Sequence, residues 1–262
     1  MHDFTYHKPT SLTDAQSLFA QGDDASLVAG GMTLIPTMKQ RLAAPSDLID
    51  LSGIADLSGI TDAGDHVTIG AMTNHATVAA SGDVPPALAA LAGKIGDAQV
   101  RNRGTLGGSI ANNDPTACYP AACLALGATI ITTAREISAE DFFTGMFETA
   151  LDEGEIITAV TFPKPQAANY QKFENPASRY ALVGVFVARM ADGVRVAVTG
   201  AGNDGVFRAT DIEAALGNDF SADALDSSSI AVDSLNGDIH ASAEYRQHLI
   251  GVMAKRAVQA LA

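Results

Sequence analysis

The chain is poor in several kinds of residue. It has no tryptophan, only two cysteines, and 16 lysines and arginines against 30 aspartates and glutamates in 262 residues. The resulting formal charge of −14 gives a surface that repels phosphate backbones and anionic lipid at long range, which argues against nucleic-acid and membrane-surface roles. No uninterrupted apolar run reaches the roughly 20 residues that a helix needs to span a bilayer.

The two cysteines and the N-terminal residues exclude further classes. Cys118 and Cys123 are five residues apart, which at about 100° per residue places them on different faces of a helix and makes them poor candidates for a metal or iron–sulfur pair. The first ten residues, MHDFTYHKPT, contain neither a basic leader nor an apolar signal segment, so we expect a cytoplasmic protein. No Ser-His-Asp, H-E-x-x-H or C-x-x-C pattern indicates a stand-alone hydrolase or metalloenzyme.

What the sequence does contain is a globular composition, with 47% hydrophobic and 18% charged residues, and a regular succession of apolar runs and turn residues. Ser11 followed by Asp14 predicts a capped helix that ends at Gly22. In the same part of the chain, apolar runs predict strands at 26–29, 48–51, 67–72, 128–133 and 156–162, and helices at 32–42, 87–95 and 116–126.

The composition changes at Pro163-Lys164-Pro165, which we interpret as a domain boundary. Beyond it, two apolar runs joined by Ala191-Asp192-Gly193 predict a β-hairpin. Helical periodicity follows at 210–216 and 242–261, with Ser227-Ser228-Ser229 in an acidic loop between them. The second part is therefore a small α+β unit, without the βαβ rhythm of a doubly wound domain.

Two glycine-containing segments are candidates for phosphate binding. Ala29 to Thr33 follows an apolar strand and precedes a helix, and Thr105 to Ser109 carries a second glycine pair between hydroxyl residues. Glycines let backbone N–H groups approach an anion without a Cβ in the way. Each segment alone is compatible with an ordinary turn, but together they predict two loops that hold the two ends of one pyrophosphate.

Two other residues have competing interpretations. Asp114, directly before Pro115, is a good N-cap for the helix at 116–126, which accounts for it without a ligand. His75, at the end of the strand at 67–72, is either a packed or capping residue or a catalytic acid or base.

Four sequence blocks, AGGMTLIP (Ala29–Pro36), VTIGAMTNH (Val67–His75), QVRNRGTLGGSIANNDP (Gln99–Pro115) and YQKFENPASRYALVGVFVA (Tyr170–Ala188), follow one another along the chain. In order and spacing they resemble the FAD-binding medium subunit of molybdenum hydroxylases, a group that includes the carbon monoxide dehydrogenase type and the flavin domain of xanthine dehydrogenase. The resemblance covers nearly the whole chain.

The resemblance implies an α+β fold: a two-lobed FAD-binding domain of the vanillyl-alcohol-oxidase type and a small α+β C-terminal domain. We expect the FAD-binding domain at 1–165, with lobes at about 1–53 and 54–165, and the C-terminal domain at 166–262.

The resemblance also implies which residues hold FAD. The two glycine loops would surround the pyrophosphate, Gly70 and Ala71 would lie near the flavin, Ile95 would pack close to its ring, and Tyr180 would lie beside the isoalloxazine. Cys118 stands where the family usually has the last aspartate of D-P-x-x-D. The implied cofactor site is Ala29, Gly30, Gly31, Met32, Thr33, Gly70, Ala71, Ile95, Thr105, Leu106, Gly107, Gly108, Ser109, Asp114, Cys118 and Tyr180.

The expected function is that of an oxidoreductase subunit that binds FAD and passes electrons from an iron–sulfur subunit to an external acceptor. Substrate hydroxylation would take place on a separate molybdenum-cofactor subunit, so this chain has no catalytic residue or metal site of its own in this interpretation. Two alternatives remain open: a self-sufficient FAD-dependent oxidase or dehydrogenase, and a degenerate, non-catalytic assembly subunit.

Overall fold

The computed structural model of the chain describes residues 1–226 and 230–261, so the predicted loop at Ser227–Ser229 lies outside the described residues. The chain begins with a three-stranded parallel sheet in the order β1-β3-β2. Its elements are β1 (Thr5–His7), α1 (Leu12–Gln21), β2 (Ala25–Val28), α2 (Leu34–Lys39) and β3 (Asp47–Asp50).

The middle of the chain forms a five-stranded antiparallel sheet in the order β4-β5-β10-β6-β7, with helices packed on it. Short 3₁₀ turns at Leu51–Gly53 and Ala55–Leu57 lead into it. Its elements are β4 (Ile60–Asp62), β5 (His66–Gly70), α3 (His75–Ala80), α4 (Pro86–Gly93), α5 (Ala98–Arg103), α6 (Leu106–Asn112), α7 (Tyr119–Leu126), β6 (Thr129–Thr132), β7 (Glu136–Ser138), α8 (Ala139–Phe142), β8 (Phe143–Gly145), β9 (Glu148–Thr149) and β10 (Ile157–Pro163).

The last part of the chain is a four-stranded antiparallel meander covered by two helices. Alternate residues of the central strands face opposite layers. Val183, Val185 and Val187 pack with the two helices, whereas Phe186 and Ala188 join the core around α7. The elements are β11 (Ala167–Glu174), β12 (Ala181–Met190), β13 (Gly193–Gly202), β14 (Gly205–Arg208), α9 (Thr210–Asn218) and α10 (Ala243–Gln259), with 3₁₀ turns at Asp223–Asp226 and Val232–Ser234.

The structure confirms the α+β class and several local predictions. The Ser11 hydroxyl accepts a hydrogen bond from the Asp14 N–H at 3.1 Å, and α1 ends before Gly22. Met190 pairs with Gly193, which closes the predicted hairpin between β12 and β13. Among the described residues, no helix is both long enough and apolar enough to cross a membrane.

Two predictions between residues 100 and 118 are wrong. The glycine-rich segment is largely helical, because Thr105 caps α6 and Asn113, in a left-handed conformation with φ of 41°, ends it. Asp114 is not a helix cap, because α7 begins only at Tyr119 and Cys118 occupies the cap position. The Asp114 carboxylate instead accepts hydrogen bonds from the N–H and the hydroxyl of Thr116, at 2.8 and 2.6 Å.

The C-terminal sheet holds the segment that leads into α7. Thr199 on β13 is fully buried, and its hydroxyl lies 2.9 Å from the Pro115 carbonyl and 2.7 Å from the Ala117 carbonyl. The Gly200 N–H also donates to the Pro115 carbonyl, at 2.8 Å. Residues 115–117 are therefore attached to the meander through their main chain.

We expect Thr199→Val to lower the free energy of unfolding by about 1–2 kcal/mol, because valine keeps the shape of threonine but leaves buried carbonyls without the hydroxyl donor. Urea unfolding followed by circular dichroism measures this. Thr129→Val on β6 is the matched control, since no hydrogen bond of the Thr129 side chain is found in the described residues. An equal, small effect of both substitutions would contradict the assigned role.

Candidate cofactor site

A cavity of about 600 Å³ opens where the loop between β2 and α2, the start of α6 and the loop between β11 and β12 meet. This volume lies within the range of about 300–1,000 Å³ that small-molecule sites occupy. Fourteen of the sixteen predicted site residues line it: Ala29, Gly30, Gly31, Met32, Thr33, Ala71, Ile95, Thr105, Gly107, Gly108, Ser109, Asp114, Cys118 and Tyr180.

The other two predicted residues do not line the cavity. Leu106 is fully buried in the core around α7. Gly70 ends β5 against the main chain of Leu57, so that a Cβ at this position would overlap the Leu57 carbonyl. Both residues are next in sequence to residues that line the cavity, namely Ala71, Thr105 and Gly107.

The first glycine loop presents unused backbone donors. In the described part of the chain, the N–H groups of Gly30, Gly31, Met32 and Thr33 donate to no protein acceptor. Gly31 has φ of 72°, and a Cβ at Gly30 would overlap the carbonyl of Arg103, so the loop conformation requires glycine at both positions. Successive N–H groups of this kind form a concave site for an anion.

The second glycine segment differs from the predicted loop. The N–H groups of Leu106, Gly107 and Ser109 donate to the carbonyls of Thr73, Ala71 and Thr105, at 3.1, 2.8 and 3.0 Å. The Gly108 N–H donates to the Thr105 hydroxyl at 3.1 Å. The expectation that this segment offers its backbone donors to a phosphate is therefore wrong for these four groups.

The helix that contains the second glycine segment forms a second wall of the cavity, and it presents side chains rather than backbone donors to a ligand. Ser109 and Asn112 line the cavity, and neither side chain has a hydrogen-bond partner among residues 1–226 and 230–261. The sequence reasoning missed Asn112 as a site residue, because the helix that brings it to the cavity was interpreted as a loop. The spacing of three residues between Ser109 and Asn112 is the signal that could have identified it.

The third wall contains Asp114, Cys118 and Tyr180. Tyr180 follows Arg179, which has φ of 63°, and the loop is held by the Asn175 N–H, which donates to the Tyr180 carbonyl at 2.8 Å. Burial, and after it the Asp114 carboxylate, raise the pKa of Tyr180. The phenol is therefore a neutral hydrogen-bond donor at the cavity mouth. Lys172 and Arg179 also line this wall.

A buried carboxylate stabilises the opposite edge of the cavity. Glu155 is 8% exposed and accepts hydrogen bonds from Arg135, the Thr132 hydroxyl at 2.6 Å and the Asp152 N–H at 2.8 Å. These contacts, the one to Arg135 above all, lower the pKa of Glu155 to about 2. Its neighbours Gly154 and Ile156 also line the cavity.

We expect Glu155 to contribute on the order of 3 kcal/mol to stability at neutral pH, because its pKa is about 2 in the folded protein and 4.5 in the unfolded chain. The contribution is complete above about pH 4.5 and is lost as the pH falls through 2. Denaturant unfolding of the wild type and Glu155→Gln between pH 3 and 7 measures it. The gap between the two proteins should narrow as the pH falls, and a gap independent of pH would contradict the assignment.

His75, the residue with two interpretations, also lines the cavity. Its side chain is buried, and its ring lies 5.4 Å from the ring of Tyr119. Burial, with a smaller effect of Arg101, lowers the pKa of His75 to about 4. At neutral pH His75 is therefore a neutral imidazole.

Comparison with known proteins identifies the ligand. Residues 2–165 match the family described as the FAD binding domain in molybdopterin dehydrogenase, and residues 168–261 match the carbon monoxide dehydrogenase flavoprotein C-terminal domain. This chain belongs to the FAD-binding medium subunits of the molybdenum hydroxylases. The prediction from the four sequence blocks is confirmed: FAD is the cofactor, and the chain is an oxidoreductase subunit.

Relatives match this medium subunit over its whole length. The nicotine 6-hydroxylase medium subunit of Paenarthrobacter nicotinovorans is 37% identical, covering 97% of this chain and 95% of its own. The carbon monoxide dehydrogenase medium chain of Afipia carboxidovorans is 34% identical, covering 98% and 96%. The solved carbon monoxide dehydrogenase from Oligotropha carboxidovorans superimposes with a TM-score of 0.90 at 34% identity, covering 99% of both chains.

The residues of this medium subunit fit FAD. The free N–H groups of Gly30 to Thr33 suit an anionic pyrophosphate, and the Ser109 hydroxyl and Asn112 amide suit the hydroxyls of a ribityl or ribose chain. Ala71, Ile95 and Val100 supply an apolar wall of the kind that a flavin ring requires. The role of each individual residue stays a prediction.

Cys118 allows a test of one such role. The buried Tyr170 hydroxyl has no nitrogen or oxygen partner in the described residues and lies beside the Cys118 sulfur. Cys118 has helical backbone angles and makes no capping bond to α7. A carboxylate at this position would therefore be available to the Tyr170 hydroxyl and to ligand hydroxyls.

We expect Cys118→Asp to tighten FAD binding by roughly ten- to a hundredfold, since a charged acceptor in a hydrogen bond contributes about 1.5–3 kcal/mol and a thiol is a weak acceptor. Calorimetric titration of the apoprotein with FAD measures this. Cys118→Asn, of the same size but uncharged, is the control and should show a smaller gain. Equal or weaker binding by the aspartate variant would refute the idea.

Proposed function

We propose that this medium subunit accepts electrons from an iron–sulfur subunit onto its FAD and passes them to an external acceptor. The substrate is hydroxylated on a separate molybdenum-cofactor subunit. The observation that carries the proposal is the end-to-end match to chains named as medium subunits of hydroxylases and dehydrogenases, combined with a cavity whose free backbone donors suit a dinucleotide.

The chain's own residues bind and orient the cofactor in this proposal. FAD, when bound, supplies a centre that can be reduced and reoxidised by one or two electrons. The N–H groups of Gly30 to Thr33 hold its pyrophosphate, and Ala71 and Ile95 pack against its ring. Tyr180, 52% exposed at the mouth, limits access of solvent and acceptor to the site.

The sequence-based domain division is part of the proposal. It consists of an FAD-binding domain at 1–165, with lobes at about 1–53 and 54–165, and a C-terminal domain at 166–262. The division is supported by the difference in architecture between the N-terminal parallel sheet, the middle antiparallel sheet with its packed helices and the C-terminal antiparallel meander. A cytoplasmic location is also part of the proposal.

We expect the chain, when purified under mild conditions from its natural source, to bring with it two other chains that contain iron, acid-labile sulfide and molybdenum. Metal analysis and mass spectrometry of the eluate measure this. In anaerobic stopped-flow experiments, the substrate of the complex should bleach the visible absorption band of the flavin in the complex and leave this band unchanged in the isolated FAD-loaded chain.

Flavin reduction in the isolated chain, and turnover of the complex without FAD, test the two alternative functions. Rapid bleaching of the isolated chain by an organic substrate would support a self-sufficient oxidase or dehydrogenase. A complex that turns over equally well without bound FAD would support an assembly subunit.

A further inference from the structure

His75 is a buried side chain whose polar atoms are not used by the protein. It is 4% exposed, and its Nδ1 atom is fully buried without a hydrogen-bond partner. Nε2 also lacks a partner within residues 1–226 and 230–261, but it is not one of the fully buried atoms. A buried polar atom without a partner costs about as much as a lost hydrogen bond, so native structures rarely contain one without an unobserved water or ligand nearby.

The position of the imidazole links it to the free donors of the first loop. A Cβ at Gly104 would come within 2.6 Å of His75 Nε2, and a Cβ at Gly30 would come within 2.7 Å of the Gly104 Cα atom. Gly104 therefore lies next to the imidazole, and Gly30 lies next to Gly104, at one end of the cavity. That end is the one at which the N–H groups of Gly30 to Thr33 are unpaired.

The backbone fixes the imidazole in this place. Asn74 caps α3 through its side chain, which accepts a hydrogen bond from the Thr77 N–H at 2.8 Å. The His75 N–H donates to the Gly104 carbonyl at 3.0 Å, and the Tyr119 ring packs against the imidazole. With Nδ1 facing the interior, Nε2 is the atom that remains for a ligand.

We propose that His75 is a binding residue for the phosphate end of FAD, with its Nε2–H donating to a phosphate oxygen beside the donors of the first loop. The proposal rests on FAD binding alone and is independent of the electron route proposed above. A neutral imidazole fits this role, since it carries one N–H that can donate while the other ring nitrogen stays an acceptor.

Three substitutions separate this role from simple packing. In His75→Gln the amide nitrogen reaches about as far as Nε2, whereas in His75→Asn it reaches only as far as Nδ1. His75→Leu removes both nitrogens and keeps an apolar side chain of similar width. His248→Gln and His248→Asn, at an exposed position on α10, are the matched controls.

The readouts are the Kd of FAD by fluorescence titration and the Tm of the apoprotein. We expect His75→Asn and His75→Leu to weaken FAD binding about tenfold or more, and His75→Gln to stay within about threefold of the wild type. His75→Leu should also raise the Tm of the apoprotein by about 2–4 °C, because it removes the unpaired nitrogens. A structural histidine would lower the Tm instead. Loss of binding in all three variants, or in none, would overturn the assignment.

Competition experiments decide which end of FAD is contacted. We expect His75→Asn to weaken ADP binding by about the same factor as FAD binding and to leave riboflavin binding unchanged, since riboflavin has no phosphate. Weaker riboflavin binding with unchanged ADP binding would place His75 at the ring and overturn the proposal. Normal FAD binding by every variant would refute the role of His75 without affecting the proposed function of the subunit.

Discussion

The close approach of the Gly30 backbone to the backbone of Arg103 and Gly104 is the contact on which the cavity depends. It joins the first glycine loop to the turn between α5 and α6, main chain against main chain, with no room for a Cβ at Gly30. Because the two segments touch there, the loop keeps its shape without using its own N–H groups. The N–H groups of Gly30 to Thr33 therefore stay free for an anion. Gly104, which takes part in this contact, also lies next to the His75 imidazole.

This arrangement explains how a chain with a formal charge of −14 can hold an anionic dinucleotide. Exposed carboxylates act through water and salt, which screen them beyond about 8 Å. Backbone N–H groups act at hydrogen-bond distance in a partly enclosed cavity, where the local dielectric constant is lower. Lys172 and Arg179 add positive charge at the third wall. At contact distance, local donors therefore matter more to the ligand than the net charge of the chain.

The sequence predicted the fold class, the helix capped by Ser11, the hairpin at residues 191–193 and most of the cavity lining, because these depend on local signals and on blocks that the family shares. It did not predict the helix at Leu106–Asn112. Two glycines and two asparagines within and next to this segment lower its helix propensity. The local Thr105 cap stabilises the helix. The N–H groups of Leu106 and Gly107 also donate to the carbonyls of Thr73 and Ala71, and these tertiary contacts are not visible in any window of sequence.

The failure at Asp114 has the same origin. An aspartate before proline is a strong local signal for a helix start, but the carbonyls of Pro115 and Ala117 are bound by Thr199 and Gly200 of the C-terminal sheet. The helix can therefore begin only after this segment. Contacts between residues 82 and 84 positions apart in sequence therefore determine the conformation of the segment that contains Asp114.

The four sequence blocks that resemble the family lie around one cavity in the structure. The first supplies the free donors, the second carries Ala71 and His75, the third carries the turn at Gly104 and the polar side chains of α6, and the fourth carries Tyr180. These blocks come from the three larger sheets or the segments next to them, so no single sheet contains the site. The residues that line the cavity come from the N-terminal, middle and C-terminal parts of the chain, so a ligand that contacts them stabilises the arrangement of these parts. This is why the C-terminal meander, which contributes few lining residues, belongs to the cofactor site: through Thr199 it holds the wall that Asp114 and Cys118 form.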